Sequence, residues 1–420
     1  MEGTIPYEFV SATGLYLEEL RLNTNQLYGT IPSDDNDNDD NDDNNDETAS
    51  SSASLWSKWT NLKILYLANN QLSSTIPSSL WTDLVINTHN QSMLEVVSLG
   101  SNLLTGSINI PSQPTMNTKS SSFLSKLRFL DLSYNILTGN IEFDSTTGTT
   151  SLLELLPNLE HLHLSHNSLS GSIGSMMMAT TSELQLRTME IDHNLFSGTI
   201  IPQDSIGQHY LTKLEHFIID ENSFSGTLDQ FLTSFIYYYG SDDNDDDGAV
   251  ASTANTTTTT TSTTTTSTYT YTSNIQTLSL RGNDFVGTIP TEIIGQLSTS
   301  LKYLALSRNY GISGTLPTTL GLLTNLEHLY LSELPKVTVT TLSIPSSLIT
   351  LELCGETNVV VDIVNDGDND NNDNGNDDLN FLCSTGSFVT MMEDRGGTIM
   401  YGDCEDDDND IQCDCCTCCQ

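Results

Sequence analysis

Histidine and carboxylate side chains are concentrated in three short segments, residues 160–166, 190–193 and 215–221, which hold five of the eight histidines. Imidazole and carboxylate groups at this density could bind a metal ion or form a pH-sensitive patch for a ligand. They could instead be polar decoration of a solvated surface, so we assign no metal site and no cofactor from the sequence. The candidates are His161, His163, His166, Glu190, Asp192, His193, His216 and Asp220.

A second group of candidate ligand contacts is mainly aromatic and basic. Tyr and Arg are enriched at the energetic centres of protein interfaces. Ordinary variation of an exposed surface would explain the same residues, so their role in binding is a hypothesis. The group comprises Tyr66, Arg128, Phe129, Asp131, Arg281, Tyr303 and Tyr330.

Catalytic motifs are absent from the sequence. It has no phosphate-binding loop, nucleophile elbow, HExxH zinc motif or kinase signature. Two half-matches to a calcium loop, starting at Asp243 and Asp370, carry Ala254 and Phe381 where a bidentate Glu is required. We therefore expect a protein without enzymatic activity.

The candidate residues lie within an internal repeat. Residues 17–32 read L-x-x-L-x-L-x-x-N-x-L-x-G-x-I-P, and related copies continue to residue 353. Leucines two residues apart point to one face of a short strand, and stacked copies place these strands side by side in a parallel sheet. The x positions then form the exposed face of the sheet, where the candidate side chains lie. Adjacent strands should place His163 beside Glu190 and His166 beside His193.

An asparagine ends the strand segment in nine copies of the repeat, whereas the last two copies carry Leu334 and Glu356 at this position. The asparagine amide both donates and accepts, so it can pair with backbone groups where the chain leaves the strand. The Gly that follows permits a tight return, and the Pro ends the segment. The predicted asparagine ladder comprises Asn25, Asn70, Asn102, Asn135, Asn167, Asn194, Asn222, Asn283 and Asn309.

The repeat resembles that of plant-type leucine-rich repeat (LRR) proteins. The resemblance implies an α/β repeat solenoid of about eleven copies. It would be a curved, right-handed superhelix with a parallel sheet on its concave face and irregular or 3-10 segments on the convex returns. It also implies recognition of a protein, peptide or glycan by an extracellular or cell-surface receptor-like ectodomain, and it leaves room for a membrane-anchored co-receptor.

Acidic residues dominate the charge of the chain, with 55 Asp and Glu against 13 Lys and Arg and a net charge of −42. This balance excludes nucleic acid and anionic membranes as partners. Most of the acids lie in four runs, at 34–47, 242–247, 362–378 and 393–414. Such runs and the Thr-rich stretch at 252–271 bury little apolar surface, so we expect disordered insertions near 33–54 and 240–273 and a disordered segment at 365–378.

The cysteines all follow the LRR solenoid of residues 1–353 and define a predicted acidic cap or tail at residues 354–420. An even number in one terminal segment favours a disulfide-stapled cap over a metal-thiolate tail. The closely spaced ending resembles the C-terminal closure of some algal LRR receptor-like proteins. The disulfide candidates are Cys354, Cys383, Cys404, Cys413, Cys415, Cys416, Cys418 and Cys419.

The N-terminus opens inside a half repeat, without a preceding cap. We therefore expect Ile5, Phe9 and Leu17 to form an exposed apolar edge in a chain that is truncated at its N-terminus, with any targeting or anchor segment upstream of Met1. In the alternative, the chain is a natural short form and its first half repeat serves as its own cap. The sequence contains no apolar run long enough to span a bilayer. Sequons at Asn90 and Asn255 are compatible with a secreted glycoprotein.

Two further functions remain open at this point. The chain could be a glycosylated, acidic structural or adhesive protein of a cell-wall matrix, in which the Asp/Asn and Thr tracts would be the functional parts. It could also be an intracellular LRR scaffold with a metal-binding cysteine tail.

Overall fold

The computed structural model describes two compact units, residues 1–198 and residues 199–420. Asn90, Asn255, the acidic side chains of the four runs and seven of the eight cysteines lie outside the described residues. The described residues are 1–6, 9, 16–32, 56, 59–82, 92–108, 110, 124–145, 148–174, 184–200, 213–235, 237–239, 270–297, 300–338, 345–354 and 398–402.

The first unit contains two parallel ladders of short strands. Its strands are β1 (Glu2–Gly3), β2 (Glu19–Arg21), β3 (Gln26–Thr30), β4 (Ile64–Tyr66), β5 (Gln71–Thr75), β6 (Val96–Ser98), β7 (Leu103–Gly106), β8 (Phe129–Asp131), β9 (Ile136–Asn140), β10 (Glu142–Ser145), β11 (Gly148–Ser151), β12 (His161–His163), β13 (Ser168–Gly171), β14 (Thr188–Glu190) and β15 (Leu195–Thr199). The inner ladder follows the order β2-β4-β6-β8-β12-β14, and the outer ladder follows β1-β3-β5-β7-β9-β13-β15. Strands β10 and β11 form an antiparallel hairpin, and the return segments include the short helices α1 (Ser78–Thr82) and α2 (Leu152–Leu155).

The second unit repeats this arrangement. Its strands are β16 (His216–Ile218), β17 (Ser223–Thr227), β18 (Tyr237–Tyr239), β19 (Thr270–Thr272), β20 (Thr277–Ser279), β21 (Asp284–Gly287), β22 (Tyr303–Ala305), β23 (Gly311–Thr315), β24 (His328–Tyr330), β25 (Lys336–Thr338), β26 (Thr350–Cys354) and β27 (Thr398–Gly402). The inner ladder is β16-β20-β22-β24-β26-β27 and the outer ladder is β17-β21-β23-β25. The returns carry α3 (Leu228–Thr233), α4 (Thr291–Gln296) and a 3-10 helix at Thr318–Leu322. None of the helices in the described ranges has the length and apolar character of a membrane-spanning segment.

The strands β19 and β27 lie in the predicted insertion and the predicted cap, where the repeat pattern gave no strand. β19 falls within the insertion expected to be disordered at 240–273, and it pairs antiparallel with β18. Its Thr-Tyr-Thr sequence and the three tyrosines of β18 are residue types that favour strands. β27 falls within the predicted cap and extends the inner ladder by pairing parallel with β26.

Each copy of the repeat forms one coil of the solenoid, with one strand in the inner ladder. The middle of that inner strand contributes one buried apolar side chain. Because the strands pair in register, these side chains stack into a continuous core within each unit. In the first unit they are Leu20, Leu65, Val97, Leu130, Leu162 and Met189, and in the second Phe217, Leu278, Leu304, Leu329 and Leu351. Each such side chain stabilises the unit by roughly 1.5–3 kcal/mol.

Asparagine side chains join neighbouring coils. Asn70 Nδ2 donates to the carbonyl oxygens of Leu67 in its own coil (3.0 Å) and Leu22 in the preceding coil (2.9 Å), and its Oδ1 accepts from the backbone N of Leu27 at 3.0 Å. Each amide therefore satisfies three backbone groups that the strand ladder leaves unpaired. The same three contacts are made by Asn102, Asn135, Asn167, Asn194, Asn283 and Asn309.

In each coil, the residue directly before the position of the ladder asparagine has a left-handed backbone conformation. We call this residue the turn position. A positive φ is uncommon for residues other than Gly, and here the next coil fixes it, since His166 N donates to Asp192 O at 2.9 Å. The turn positions are Thr24, Asn69, Ser101, Tyr134, His166 and His193 in the first unit and Glu221, Gly282, Arg308 and Glu333 in the second.

The expectation of an exposed N-terminal edge is wrong for Ile5, which is only 7% exposed. The half repeat continues the outer ladder through β1, which pairs parallel with β3. Leu17 and Phe9 are half-buried, and the Phe9 ring packs edge-on against the buried Trp59 with centroids 6.3 Å apart. A segment before the second coil thus covers apolar surface that the repeat pattern left open.

Candidate functional site

The exposed face of the first unit's inner ladder brings several predicted contact residues into two rows. Parallel pairing of β8, β12 and β14 aligns Phe129, His161 and Thr188 in one row and Asp131, His163 and Glu190 in the other. We call these six residues the histidine surface. Its side chains differ from coil to coil, whereas the leucines beneath them repeat.

His163 forms the strongest electrostatic contact of this surface. Its Nδ1 lies 2.7 Å from Glu190 Oε2, so the predicted proximity of the two residues is confirmed. Burial lowers the pKa of His163, but the hydrogen bond and charge of Glu190, together with the charge of Asp131, outweigh it and hold the pKa above the ordinary 6.5. The His163–Glu190 pair is therefore an ion pair at mildly acidic pH.

Asp131 is held by serines of its own and the preceding coil. Ser98 Oγ donates to Oδ2 at 2.8 Å, and the hydroxyl and backbone N of Ser133 donate to Oδ1 at 2.6 and 3.1 Å. A Cβ on Gly100 would lie 2.7 Å from both carboxylate oxygens, so only glycine leaves room for them. The Asp131 carboxylate is fixed in position before any ligand binds.

Three rings form a stack at the turn positions of the first unit. Tyr134 and His166 lie 4.2 Å apart between centroids with 21° between their planes. His166 and His193 lie 4.2 Å apart with 19° between planes, which confirms their predicted contact. Equivalent backbone positions in successive coils project these rings side by side.

Asp192 places a carboxylate against two rings of the stack. Its Oδ2 lies 3.0 Å from His193 Nδ1 and 3.7 Å from His166 Nε2, and its Oδ1 accepts a hydrogen bond from the Ser165 hydroxyl. One ligand atom from each of His166, Asp192 and His193 lies within 4.8 Å of the other two. We call these three residues the turn cluster, and their donor atoms are of the kind that binds transition metals.

The remaining predicted histidines face hydroxyl groups. His161 Nδ1 lies 3.0 Å from Thr188 Oγ1, and His216 Nδ1 lies 3.0 Å from Thr277 Oγ1. The equivalent atoms of His328 and Thr350 are 3.1 Å apart. A histidine at the first position of an inner strand is therefore positioned by a threonine of the next coil.

Tyr66 and Arg128 lie outside the histidine surface. The Arg21 guanidinium lies over the Tyr66 ring, 4.8 Å from its centroid. Arg128 is largely exposed, with Nη1 3.5 Å from Glu160 Oε1.

The inner ladder of the second unit has a tyrosine–arginine surface, made of Arg281, Tyr303 and Tyr330. The two tyrosine rings lie 5.2 Å apart, and Arg281 Nε is buried without a hydrogen-bond partner among the described residues. Burial, with the nearby Tyr330 and Asp220, raises the pKa of Tyr303 to about 12, although Arg281 and the Ser279 hydroxyl oppose the shift. Burial and then the charge of Glu352 also raise the pKa of Tyr330, with Arg281 and Thr350 opposing it.

Asp220 supports this surface from the preceding coil. Its Oδ1 accepts from the backbone N of Arg281 at 2.8 Å, and its Oδ2 accepts from Ser279 Oγ at 2.8 Å. Asp220 thus holds the backbone of Arg281 in place, so its carboxylate has a structural role on this surface.

Ion pairs occupy the turn positions of the second unit. Arg308 Nη1 lies 2.7 Å from Glu221 Oε1, and its Nε lies 3.7 Å from Glu333 Oε2, which also accepts from the Tyr310 hydroxyl at 3.0 Å. Gly282 stands between the first pair, because a Cβ there would lie 2.7 Å from Glu221 Cδ. The missing side chain lets Glu221 reach across one coil.

Several supporting residues were missed in the sequence. Thr188, Ser165 and Glu333 are polar residues in an already polar pattern, so composition gave no signal for them. Gly282 did leave a signal, since glycine replaces the polar or aromatic residue found at other turn positions.

Sequence comparison finds the repeat family in three segments. The family described as Leucine Rich Repeat matches residues 61–82, 158–178 and 274–295. Receptor-like protein 41 of Arabidopsis thaliana is 30% identical over 167 residues, covering 40% of this chain and 16% of that protein. Receptor-like protein 14 of the same plant is 28% identical over 165 residues, covering 34% and 14%.

Solved structures show the same fold. The crystal structure of a TDR receptor aligns with a TM-score of 0.55 and 18% identity, over 85% of this chain and 46% of that chain. The plant peptide hormone receptor RGFR1 in complex with RGF2 gives 0.52 and 21%, over 85% and 46%. The chain spans less than half the length of each of these four proteins, and it has the leucine-rich repeat fold that the sequence predicts.

Proposed function

We propose that the inner ladders recognise a peptide or protein ligand without catalysis, outside the cell or at its surface. The observation that carries this proposal is the tyrosine–arginine surface. There a buried arginine Nε without a partner among the described residues lies beside two rings whose pKa values are raised. Tyr and Arg are enriched in binding hot spots, and the three side chains are half-buried, so a ligand can reach them.

The two tyrosines contribute apolar faces and neutral phenols. Both hydroxyl groups are protonated at physiological pH, as tyrosine hydroxyls ordinarily are, and can donate hydrogen bonds. Arg281 adds a cation that suits an acidic side chain or a terminal carboxylate. These properties favour a peptide with an aromatic or apolar residue next to a carboxylate.

Proteins that are similar to this chain are described as receptors, which supports the proposal. The RGFR1 structure is described as a peptide hormone receptor in complex with RGF2, and the sequence relatives are receptor-like proteins. The tracts on which the matrix-protein and scaffold alternatives depend lie almost wholly outside the described residues. No observation in the described ranges therefore favours either alternative.

Selection from a phage-displayed library of random linear peptides tests the proposal. Peptides enriched on the full chain should lose about tenfold or more in affinity for the Arg281→Gln and Tyr303→Ala variants. Tyr28→Ser removes an exposed tyrosine from the outer ladder, so this control should bind as the wild type does. Failure to enrich peptides, or equal binding to all variants, would argue against this surface.

A further inference from the structure

The turn cluster shares no residue with the tyrosine–arginine surface to which the proposed function assigns ligand recognition. His166 and His193 occupy the same position in successive coils, with φ values of 55° and 51°. Backbone bonds of 2.9 Å from His166 N to Asp192 O and 3.2 Å from Asn167 N to His193 O fix these positions. The two imidazoles therefore face each other because of the repeat geometry.

The carboxylate of Asp192 is oriented toward both rings. The Ser165 hydroxyl occupies Oδ1, and Oδ2 points to His193 Nδ1 and His166 Nε2 at 3.0 and 3.7 Å. The Asp192 side chain is only 15% exposed, whereas His193 is 47% exposed. One oxygen and two ring nitrogens thus converge beside two partly exposed imidazoles, where an ion can enter from solvent.

Residues around the cluster restrict its side chains. The Ser165 hydrogen bond orients the carboxylate, and the Tyr134 ring stacks on the other face of His166 at 4.2 Å. Supporting contacts of this kind orient metal ligands and strengthen binding.

We propose that His166, Asp192 and His193 bind Zn²⁺, with at least one coordination position left to solvent or to an exogenous ligand. Two imidazoles and one carboxylate are a common ligand set for zinc sites with an open position. Zinc bonds of about 2.0–2.2 Å require the three atoms to approach more closely than their present limit of 4.8 Å. Rotation of the half-exposed His193 ring provides this movement without disturbing the backbone.

Calorimetric titration of the full chain with zinc chloride tests the site, after accessible thiols have been alkylated so that cysteines do not compete. The wild type should show one tight equivalent, and His166→Asn and His193→Asn should weaken it by about tenfold or more. His161→Asn is the matched control, since it removes a half-buried inner-ladder histidine outside the cluster. Its tight equivalent should remain.

A second variant separates loss of zinc binding from loss of folding. Asp192→Asn keeps the shape of the side chain, and circular dichroism establishes that it is folded before titration. Co²⁺ then reports the ligand set through its visible absorption, which should weaken in Asp192→Asn and stay unchanged in His161→Asn. Equal zinc affinity in the wild type and a folded cluster variant would overturn the site and assign binding to the acidic runs. Peptide selection uses different residues, so either proposal can fail alone.

Discussion

The turn positions of the two units occupy equivalent places in the coil but carry different chemistry. In the first unit Tyr134, His166 and His193 stack as rings, and in the second Glu221 and Arg308 pair as ions across Gly282. The backbone beneath is the same, with a positive φ at each residue, and in both units an adjacent coil accepts the N–H of turn residues such as His166 and Arg308. The repeat therefore fixes the backbone conformation at the turn position, whereas the type of side chain at this position can vary.

The largest expected effect comes from removing an asparagine whose hydrogen bonds join neighbouring coils. These bonds form the shared frame of the two units, and they should contribute equally to the stability of each. Asn102→Ala and Asn309→Ala each leave three backbone partners without an amide, in the first and second unit respectively. Both changes should lower the free energy of unfolding by about 3 kcal/mol, because orphaned buried groups cost about 1–3 kcal/mol each. Urea unfolding followed by circular dichroism measures this.

Asn25→Ala is the control for this pair, since Asn25 lies at the more exposed start of the ladder. Its loss should cost clearly less. Unequal costs for Asn102→Ala and Asn309→Ala would show that the frame itself differs between the units, and the comparison would fail.

A smaller effect is expected at Gly282, whose missing side chain distinguishes the turn positions of the second unit from those of the first. Gly282→Ala places a Cβ 2.7 Å from Glu221 Cδ at a φ of +62°. We expect a loss of about 2 kcal/mol in unfolding free energy, from left-handed strain and displacement of the Glu221–Arg308 pair. The partly exposed ion pair itself contributes under about 1 kcal/mol.

Gly295→Ala has the opposite expected sign. Gly295 lies in α4, and no neighbouring atom lies within 4 Å of the place that an alanine Cβ would occupy. Alanine should therefore stabilise the helix by about 0.5–1 kcal/mol. Thermal unfolding of both variants measures the contrast. A neutral Gly282→Ala would mean that Glu221 does not need the gap.

The pH dependence of stability separates the inner ladders. Because the folded pKa of His163 lies above 6.5, its pairing with Glu190 stabilises the fold fully below about pH 6.5, and this contribution is lost as pH rises through the folded pKa. Glu190 is about one-third exposed, so we expect less than about 1 kcal/mol. On the second unit's inner ladder, the histidines in the described ranges face threonine hydroxyls instead.

Urea unfolding at about pH 5.5 and about pH 8.5 detects this contribution. Glu190→Gln keeps an acceptor for His163 but removes the charge, so it should reduce the stability difference between the two pH values. An unchanged difference would assign the pH dependence to other groups.

The smallest expected effect concerns the return that both units share. The described returns up to residue 314 use glycine at positive φ except in the second coil, where Ser74 has a φ of 76°. Ser74→Gly should stabilise the fold by about 0.5 kcal/mol, because relief of strain exceeds the entropy that glycine adds to the unfolded chain. Ser73→Gly, in the same strand at ordinary φ, should destabilise it, and thermal unfolding distinguishes the two signs.

The sequence predicts those features that recur because the backbone requires them. Strand leucines follow from the two-residue period, and the contacts of His166 with His193 and of His163 with Glu190 follow from the spacing between coils. The partnership of His161 with Thr188 and the reach of Glu221 across Gly282 depend on side-chain rotamers and on a missing Cβ. Burial of Ile5 depends on pairing between β1 and β3, which its short half repeat did not reveal.

The asparagine bonds between coils also restrict how a gene for this chain can change length. Asn70 completes the coil before it as well as its own, so a cut inside a coil separates an amide from groups that it must satisfy. Duplication or loss of a whole coil recreates every junction. Recombination should therefore succeed in steps of one coil, and each added coil brings one new turn position on which selection can act.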